Sequence, residues 1–220
     1  MVFWITTLLA WMVDRPETST SVSPRSSFGN TGTSARIALI GDSHSQALWP
    51  RLRPALEAAG YTVVLQEANP GWSEATYLQK GGLGERIRAA RPDLVVFELG
   101  GNNQKMDATN YRKDAEALVL LAQQAGASVL WFGPPASDPV RAPETARRHA
   151  ATTRLQNGLL TRLGVYWVDS RPFTQTGQRD DGVHFNAAGY ANWARAMAPY
   201  VDRALEAFRH QASSAIQVES

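Results

Sequence analysis

From Arg36 onward the chain alternates between two hydrophobic patterns. Arg36–Ile40, Tyr61–Gln66, Leu94–Leu99, Ser128–Phe132 and Val165–Asp169 are short apolar runs rich in β-branched and aromatic residues. They lack the polar alternation of a half-exposed strand, and so predict strands buried on both faces, as in a parallel sheet. Between them the apolar positions recur at helical spacing. That spacing predicts a helix over Ala47–Ala59, stopped by Gly60. Tyr111, Ala115, Leu118, Ala122 and Ala125 form a second stripe ending at Gly126, and Pro143 opens a helix that runs through Leu163 to Gly164. Near the end, Asn186 is a suitable N-cap, and Tyr190, Trp193, Met197, Tyr200, Val201, Leu205 and Phe208 share one face. Five strand–helix units predict a three-layer α/β/α sandwich over a five-stranded parallel sheet with right-handed crossovers. Sites in such sheets lie beyond the carboxyl ends of the strands.

The ends fall outside this alternation. Val2–Val13 is uncharged and mostly apolar, but well short of the ~20 residues a spanning helix needs. It reads as an export signal, an interfacial anchor or a docking arm. Asp14–Ala35, with ten Ser and Thr plus Pro and Gly, has linker composition. The expected organisation is an arm over 1–13, a linker over 14–35, one domain over 36–210 and a loose tail over 211–220.

Composition narrows the partners. Twenty-two basic and 20 acidic residues leave a formal charge of +2, and only three of the basic residues are Lys. The arginines are scattered among acids rather than gathered in a stripe, which argues against nucleic acid. The absence of cysteine excludes a disulfide scaffold, a thiol nucleophile and any cysteine-ligated metal.

Three segments follow strands and carry candidate chemistry. Gly41-Asp42-Ser43-His44-Ser45 follows the first run. Ser43 there is either a nucleophile whose hydroxyl and backbone N–H face the sheet edge, or part of an ordinary turn and cap. His44 is read as structural or substrate-facing. Gly100-Gly101-Asn102-Asn103 follows the third run, and is either a close backbone approach with an Asn donor or a tight turn. Asp180-Asp181-Gly182-Val183-His184 precedes the last helix. The three-residue spacing lets Asp181 accept from the Nδ1–H of His184 and leaves Nε2 as a base, with Asp180 the rival carboxylate. His149 and His210 read as bland. All three segments converge on one sheet edge, which favours Ser43–His184–Asp181 nucleophilic chemistry.

These blocks resemble the SGNH (GDSL-type) hydrolase superfamily. Gly41-Asp42-Ser43 matches its first block, Gly71 in Asn69-Pro70-Gly71-Trp72 its second, Gly100-Gly101-Asn102-Asn103 its third and Asp181-Gly182-Val183-His184 its last. Asn103 stands where the family usually has Asp. The resemblance implies a flavodoxin-like sandwich and a serine esterase. Ser43 would be the nucleophile, His184 the general base, Asp181 its partner, and Ser43 N–H, Gly71 N–H and the Asn102 amide the oxyanion donors. It implies no metal and no cofactor. The flavour of the first and last blocks resembles bacterial carbohydrate O-acetyl esterases, so the expected substrate is an acylated, most readily acetylated, polysaccharide. Trp72, Gly101 and Phe185 are candidate substrate contacts, and Trp49, Tyr77 and Phe173 further sugar-stacking faces. The alternatives are a lipid or aryl esterase of the thioesterase/lysophospholipase type, or a structural component of a larger assembly that keeps the hydrolase fold. Residues 1–35 are the expected contact to a membrane, envelope or virion-like particle, which suggests an extracytoplasmic or surface location.

Overall fold

The computed structural model describes residues 34–103 and 107–218, with side chains through residue 209. The apolar arm 1–13 and the linker up to residue 33 lie outside the described residues. Among the described residues five strands appear: β1 (Arg36–Gly41), β2 (Thr62–Ala68), β3 (Leu94–Glu98), β4 (Ser128–Phe132) and β5 (Tyr166–Val168). They form one sheet in the order β2-β1-β3-β4-β5, with every pairing parallel. This is the expected three-layer sandwich. Its helices are α1 (Ser45–Ala58), α2 (Glu74–Lys80), α3 (Leu83–Ala90), α4 (Ala108–Gln124), α5 (Pro143–Arg162) and α6 (Ala187–Val218).

The uninterrupted apolar runs are explained by the layers. Ile37 and Leu39 of β1, Leu94 and Val96 of β3, and Leu130 and Phe132 of β4 pack with Leu48, Trp49 and Leu52 of α1 and Trp193, Met197 and Val201 of α6. The alternate residues Ala38, Ile40, Val95, Phe97, Val129 and Trp131 pack on the other face with side chains of α2–α5. Burying a large apolar side chain fully contributes about 1.5–3 kcal/mol, so both faces of a central strand must be apolar. β2, at the edge, is only half-buried.

The structure departs from the sequence pattern at three places. Helices α2 and α3 occupy 74–90, for which the pattern predicted none. Their local signals are short: Ser73 caps α2 by accepting from Thr76 N–H, and Gly81 and Gly82, both at positive φ, break the chain before α3. Ala35 is buried in the core and its carbonyl accepts from Thr62 N–H at 2.9 Å, so the linker expected over 14–35 stops short of it. Finally, α6 runs to Val218 through the stretch expected to be a loose tail. The sequence Gln211-Ala212-Ser213-Ser214-Ala215 has neither Pro nor Gly to stop it. Among the described residues no helix is long and apolar enough to cross a membrane.

Candidate active site

The chain leaves β1 at Gly41 and enters α1 through Asp42, Ser43 and His44. Gly41 has no substitute here, because a Cβ would lie 1.8 Å from Ser45 Oγ and 2.9 Å from the Glu98 carbonyl oxygen. Its own carbonyl accepts from Tyr77 OH at 2.7 Å and from Asn69 N–H at 3.0 Å, which pins the Asn69–Ser73 loop beside the turn. Ser43 is half-buried just ahead of α1, in the positive field of its N-terminus.

The loop between β5 and α6 folds back on itself. Arg179 N–H donates to the His184 carbonyl at 2.7 Å, and Asn186 N–H to that of Gly177 at 2.8 Å. Inside this loop one carboxylate oxygen of Asp181, Oδ1, accepts from the backbone N–H of both Val183 and His184, each at 2.9 Å. The other, Oδ2, lies 2.9 Å from His184 Nδ1. A carboxylate can only accept, so Nδ1 carries the proton and Nε2 presents a lone pair. Nε2 is 3.1 Å from Ser43 Oγ. The expected spatial meeting of Ser43, His184 and Asp181 is therefore present. Partial burial pushes the Asp181 carboxyl up, but the Val183 N–H, the His184 ring and the His184 N–H outweigh it and bring it down to about 2. Asp180, the rival, is exposed and makes no hydrogen bond or ion pair among the described residues.

His44 turns away from solvent, not toward a substrate. It is buried, its Nδ1 lies 3.3 Å from Tyr190 OH, and its ring contacts those of Phe185 and Trp193, with the His184 ring 5.0 Å away. Burial first, then the nearby His184 and His149 rings, hold its pKa well below the usual histidine value. It forms a neutral floor beside the His184 ring.

On the other side of Ser43 stands Asn102. Its Nδ2 donates to Asp42 Oδ2 at 2.9 Å and to the Trp72 carbonyl at 3.2 Å. Asn102, the Gly71–Trp72 turn and the residue next to Ser43 are thus held together. Gly71 sits at φ +75°, a left-handed conformation that favours glycine. Gly101 is held equally closely: a Cβ there would lie 3.2 Å from Asp42 Oδ2 and 3.3 Å from His149 Nε2. His149, read as bland in the sequence, is buried between the loops after β3 and β4, with Nδ1 2.9 Å from the Pro135 carbonyl and 3.1 Å from Ser137 Oγ. Beyond it lies a cavity of about 300 Å³ lined by Pro135, Ser137, His149, Asp169, Arg171 and Gln175 among others.

Beneath Asn102 three carboxyls are fully buried: Asp42, Glu74 and Glu98. Ser45 Oγ donates to Glu98 Oε2 at 2.8 Å, and His44 N–H to Asp42 Oδ1 at 2.9 Å. Burial pushes Asp42 up to about 7, against the His44 N–H and with help from the charge of Glu74. Burial, and then the adjacent Asp42 charge, push Glu98 well above the usual carboxyl range. Burial likewise raises Glu74, whose carboxyl faces Asn103 and Tyr111. Nothing in the sequence pattern assigns Asp42 a role of its own or singles out Glu74 or Glu98. The available signal was an acid inside the apolar run Leu94–Leu99.

The aromatic candidates need correction. Phe185 is 2% exposed and packs against Tyr190 and Trp193, so it is core and not a substrate contact. Trp49 and Tyr77 are fully buried, and Phe173 packs on the core beside Tyr200. Of the five, Trp72 alone keeps a half-exposed ring beside Asn102's loop, edge-on to Tyr77 at 4.9 Å. Among the described residues no group of three or more His, Asp or Glu side chains is placed to hold a metal ion.

Comparison with known proteins gives three results. The profile of the GDSL-like lipase/acylhydrolase family matches residues 39–191. Among curated proteins none matches the chain. Solved structures share its fold. A carbohydrate acetylesterase family member from Sinorhizobium meliloti superposes with a TM-score of 0.65 at 21% identity, covering 78% of this chain and 99% of that one. An acetylxylan esterase from Geobacillus stearothermophilus gives 0.65 at 16%, covering 77% and 95%. A lipase/acylhydrolase from Enterococcus faecalis gives 0.62 at 21%, covering 75% and 96%.

Proposed function

The chain belongs to the GDSL-like lipase/acylhydrolase family and is an ester hydrolase, and from that premise we propose that it removes short O-acyl groups, chiefly acetyl, from carbohydrate. The observation that carries this reading is the hydrogen-bonded line Ser43 Oγ–His184 Nε2, His184 Nδ1–Asp181 Oδ2. Ser43 Oγ attacks the ester carbonyl as His184 Nε2 takes its proton. Asp181 keeps Nδ1 protonated and stabilises the imidazolium. The negative oxygen of the tetrahedral intermediate is met by the backbone N–H groups of Ser43 and Gly71 and by the Asn102 amide, which gives up its longer bond to the Trp72 carbonyl. Each such donor contributes roughly 3 kcal/mol to lowering the barrier. His184 returns the proton to the departing alkoxide, and water, activated by the same nitrogen, releases the acid from the acyl-serine.

The short-acyl part rests on the surface. Among the described residues the exposed large hydrophobics are Leu120 and Val140, two isolated side chains rather than the apolar strip a long acyl chain needs. Trp72 offers a ring face for a sugar at the rim. The carbohydrate acetylesterases of the same fold support this class. The test is a p-nitrophenyl ester series from acetate to decanoate, together with acetate release from acetylated xylan. Highest turnover on acetate and release from the polymer are expected. A maximum at octanoate or longer with no release replaces this reading by the lipid-esterase one, and equal rates for wild type and Ser43→Ala remove the enzymatic assignment of Ser43.

A further inference from the structure

We propose that Glu98 is a positioning residue for the oxyanion side of the site: it shares a single proton with Asp42, and the one negative charge left on the pair holds the Asn102 amide. The inference rests on the esterase reading of Asn102, but its central statement, a protonated Glu98, stands apart from any activity.

The geometry is that of two acids with no cation. Glu98 ends β3 opposite Gly41, so Asp42, the residue that follows β1, sits beside it, and each carboxyl acts on the other. Both are fully buried, and neither forms an ion pair among the described residues. Two adjacent buried carboxylates without a counter-charge cannot both stay ionised. The hydrogen bonds say which one keeps the proton. Asp42 accepts at both oxygens, from His44 N–H and from Asn102 Nδ2, which suits a carboxylate. Glu98 accepts from Ser45 Oγ at Oε2, while its Oε1 is buried with no hydrogen-bond partner. A proton on Oε1 turns that orphan acceptor into a donor, and the Asp42 carboxyl is the neighbouring acid with which Glu98 interacts.

The surroundings reinforce the assignment. Glu74 and Tyr77 face the pair from α2, His44 and Ser45 from the start of α1, and Tyr190 from α6. Of the ionisable groups in that shell Glu74 adds negative charge, the tyrosines are held neutral by burial, and His44 is neutral. Nothing there favours a second ionisation. Loss of the shared proton at high pH sets two negative charges side by side, displaces Asp42 and releases the amide it holds.

Three measurements decide the matter. In the infrared spectrum of the whole protein at neutral pH, a protonated-carboxyl C=O stretch is expected, and it falls in Glu98→Gln. In steady-state kinetics on p-nitrophenyl acetate, Glu98→Ala lowers kcat by about 10- to 100-fold, less than outright loss of an oxyanion donor, with KM little changed. Glu98→Gln, which still donates to Asp42 but cannot titrate, recovers most of that kcat and lacks the alkaline decline of the wild-type kcat profile. An undiminished carboxyl band in Glu98→Gln, wild-type kcat in Glu98→Ala, or the same alkaline limb in Glu98→Gln and wild type overturns the proposal. If Glu98→Ala does not fold, the glutamine variant and the spectrum still decide it. Should the wild type fail to cleave any ester, the proposed function falls while the infrared test of the proton remains.

Discussion

The two sides of Ser43 are built on opposite principles. The His184 side is local and wet: Asp181 and His184 come from one turn, and their side chains are 46% and 37% exposed. The Asn102 side is long-range and dry, joining Asp42, Glu74, Glu98 and Asn102 from the turn after β1, α2, β3 and the loop after it, with the three acids fully buried. In the first, a carboxyl is driven down to about 2 by donors that favour its charge; in the second, burial drives one up to about 7. The lesson is that one site uses carboxyls in both senses. One is kept charged to orient a base, and others are kept short of full charge so that a single anion orients a donor.

Perturbing each side separates them. The largest effect is expected at the shared centre: Ser43→Ala lowers kcat by at least about 10⁴-fold, read against p-nitrophenyl acetate. Asp181→Asn, which presents the wrong partner to Nδ1–H, costs on the order of 10³-fold in kcat, while Asp180→Asn leaves the rate unchanged; equal losses in both would return the rival carboxylate to consideration. Asn102→Ala is expected to cost about 10²-fold in kcat with KM nearly constant.

Stability gives a smaller contrast, with opposite signs. Asp181, depressed in the folded state, contributes stability that is fully present above the ordinary aspartate value near 4 and is lost as pH falls toward 2. The buried pair Asp42 and Glu98, both raised in the folded state, does the reverse: the native protein holds protons that the unfolded chain gives up near 4, so stability declines as pH rises through about 7, where Asp42 ionises, and further above it, where Glu98 gives up the proton it keeps. Thermal melts across that upper window should show a decline that Asp42→Asn lessens. An unchanged slope in that variant would mean that the burial of Asp42 is relieved some other way. The smallest effect is expected from removing residues 1–33, which leaves turnover and melting unchanged and abolishes any sedimentation with membranes or particles.

Legibility in the sequence followed the same division. The line Ser43–His184–Asp181 could be read because Asp-x-x-His is a local spacing and the strand–helix alternation places Ser43 at the same edge. Four of the six helices among the described residues could be read from stripes or caps. The buried acids could not, since their meaning depends on which strands become neighbours; only the acid within Leu94–Leu99 hinted at it. Phe185 misled for a related reason. Next to His184 it suggested a substrate face, but the bridge it forms with Gln178 just before α6 turns it inward onto His44 and Trp193. Helices α2 and α3 are too short for a stripe to emerge, although their caps were present at Ser73 and Gly82.

One feature of the packing bears on how activity arises during synthesis. Ser43 lies at the head of α1 and His184 just before α6, and these two helices pack on each other against the same face of the sheet. On the proposed mechanism Ser43 leaves the ribosome early and waits, since His184 is brought beside it only when the C-terminal helix settles against α1. A nascent chain that has folded its first four strands is then expected to be chemically silent, with the onset of ester cleavage reporting the docking of that last helix.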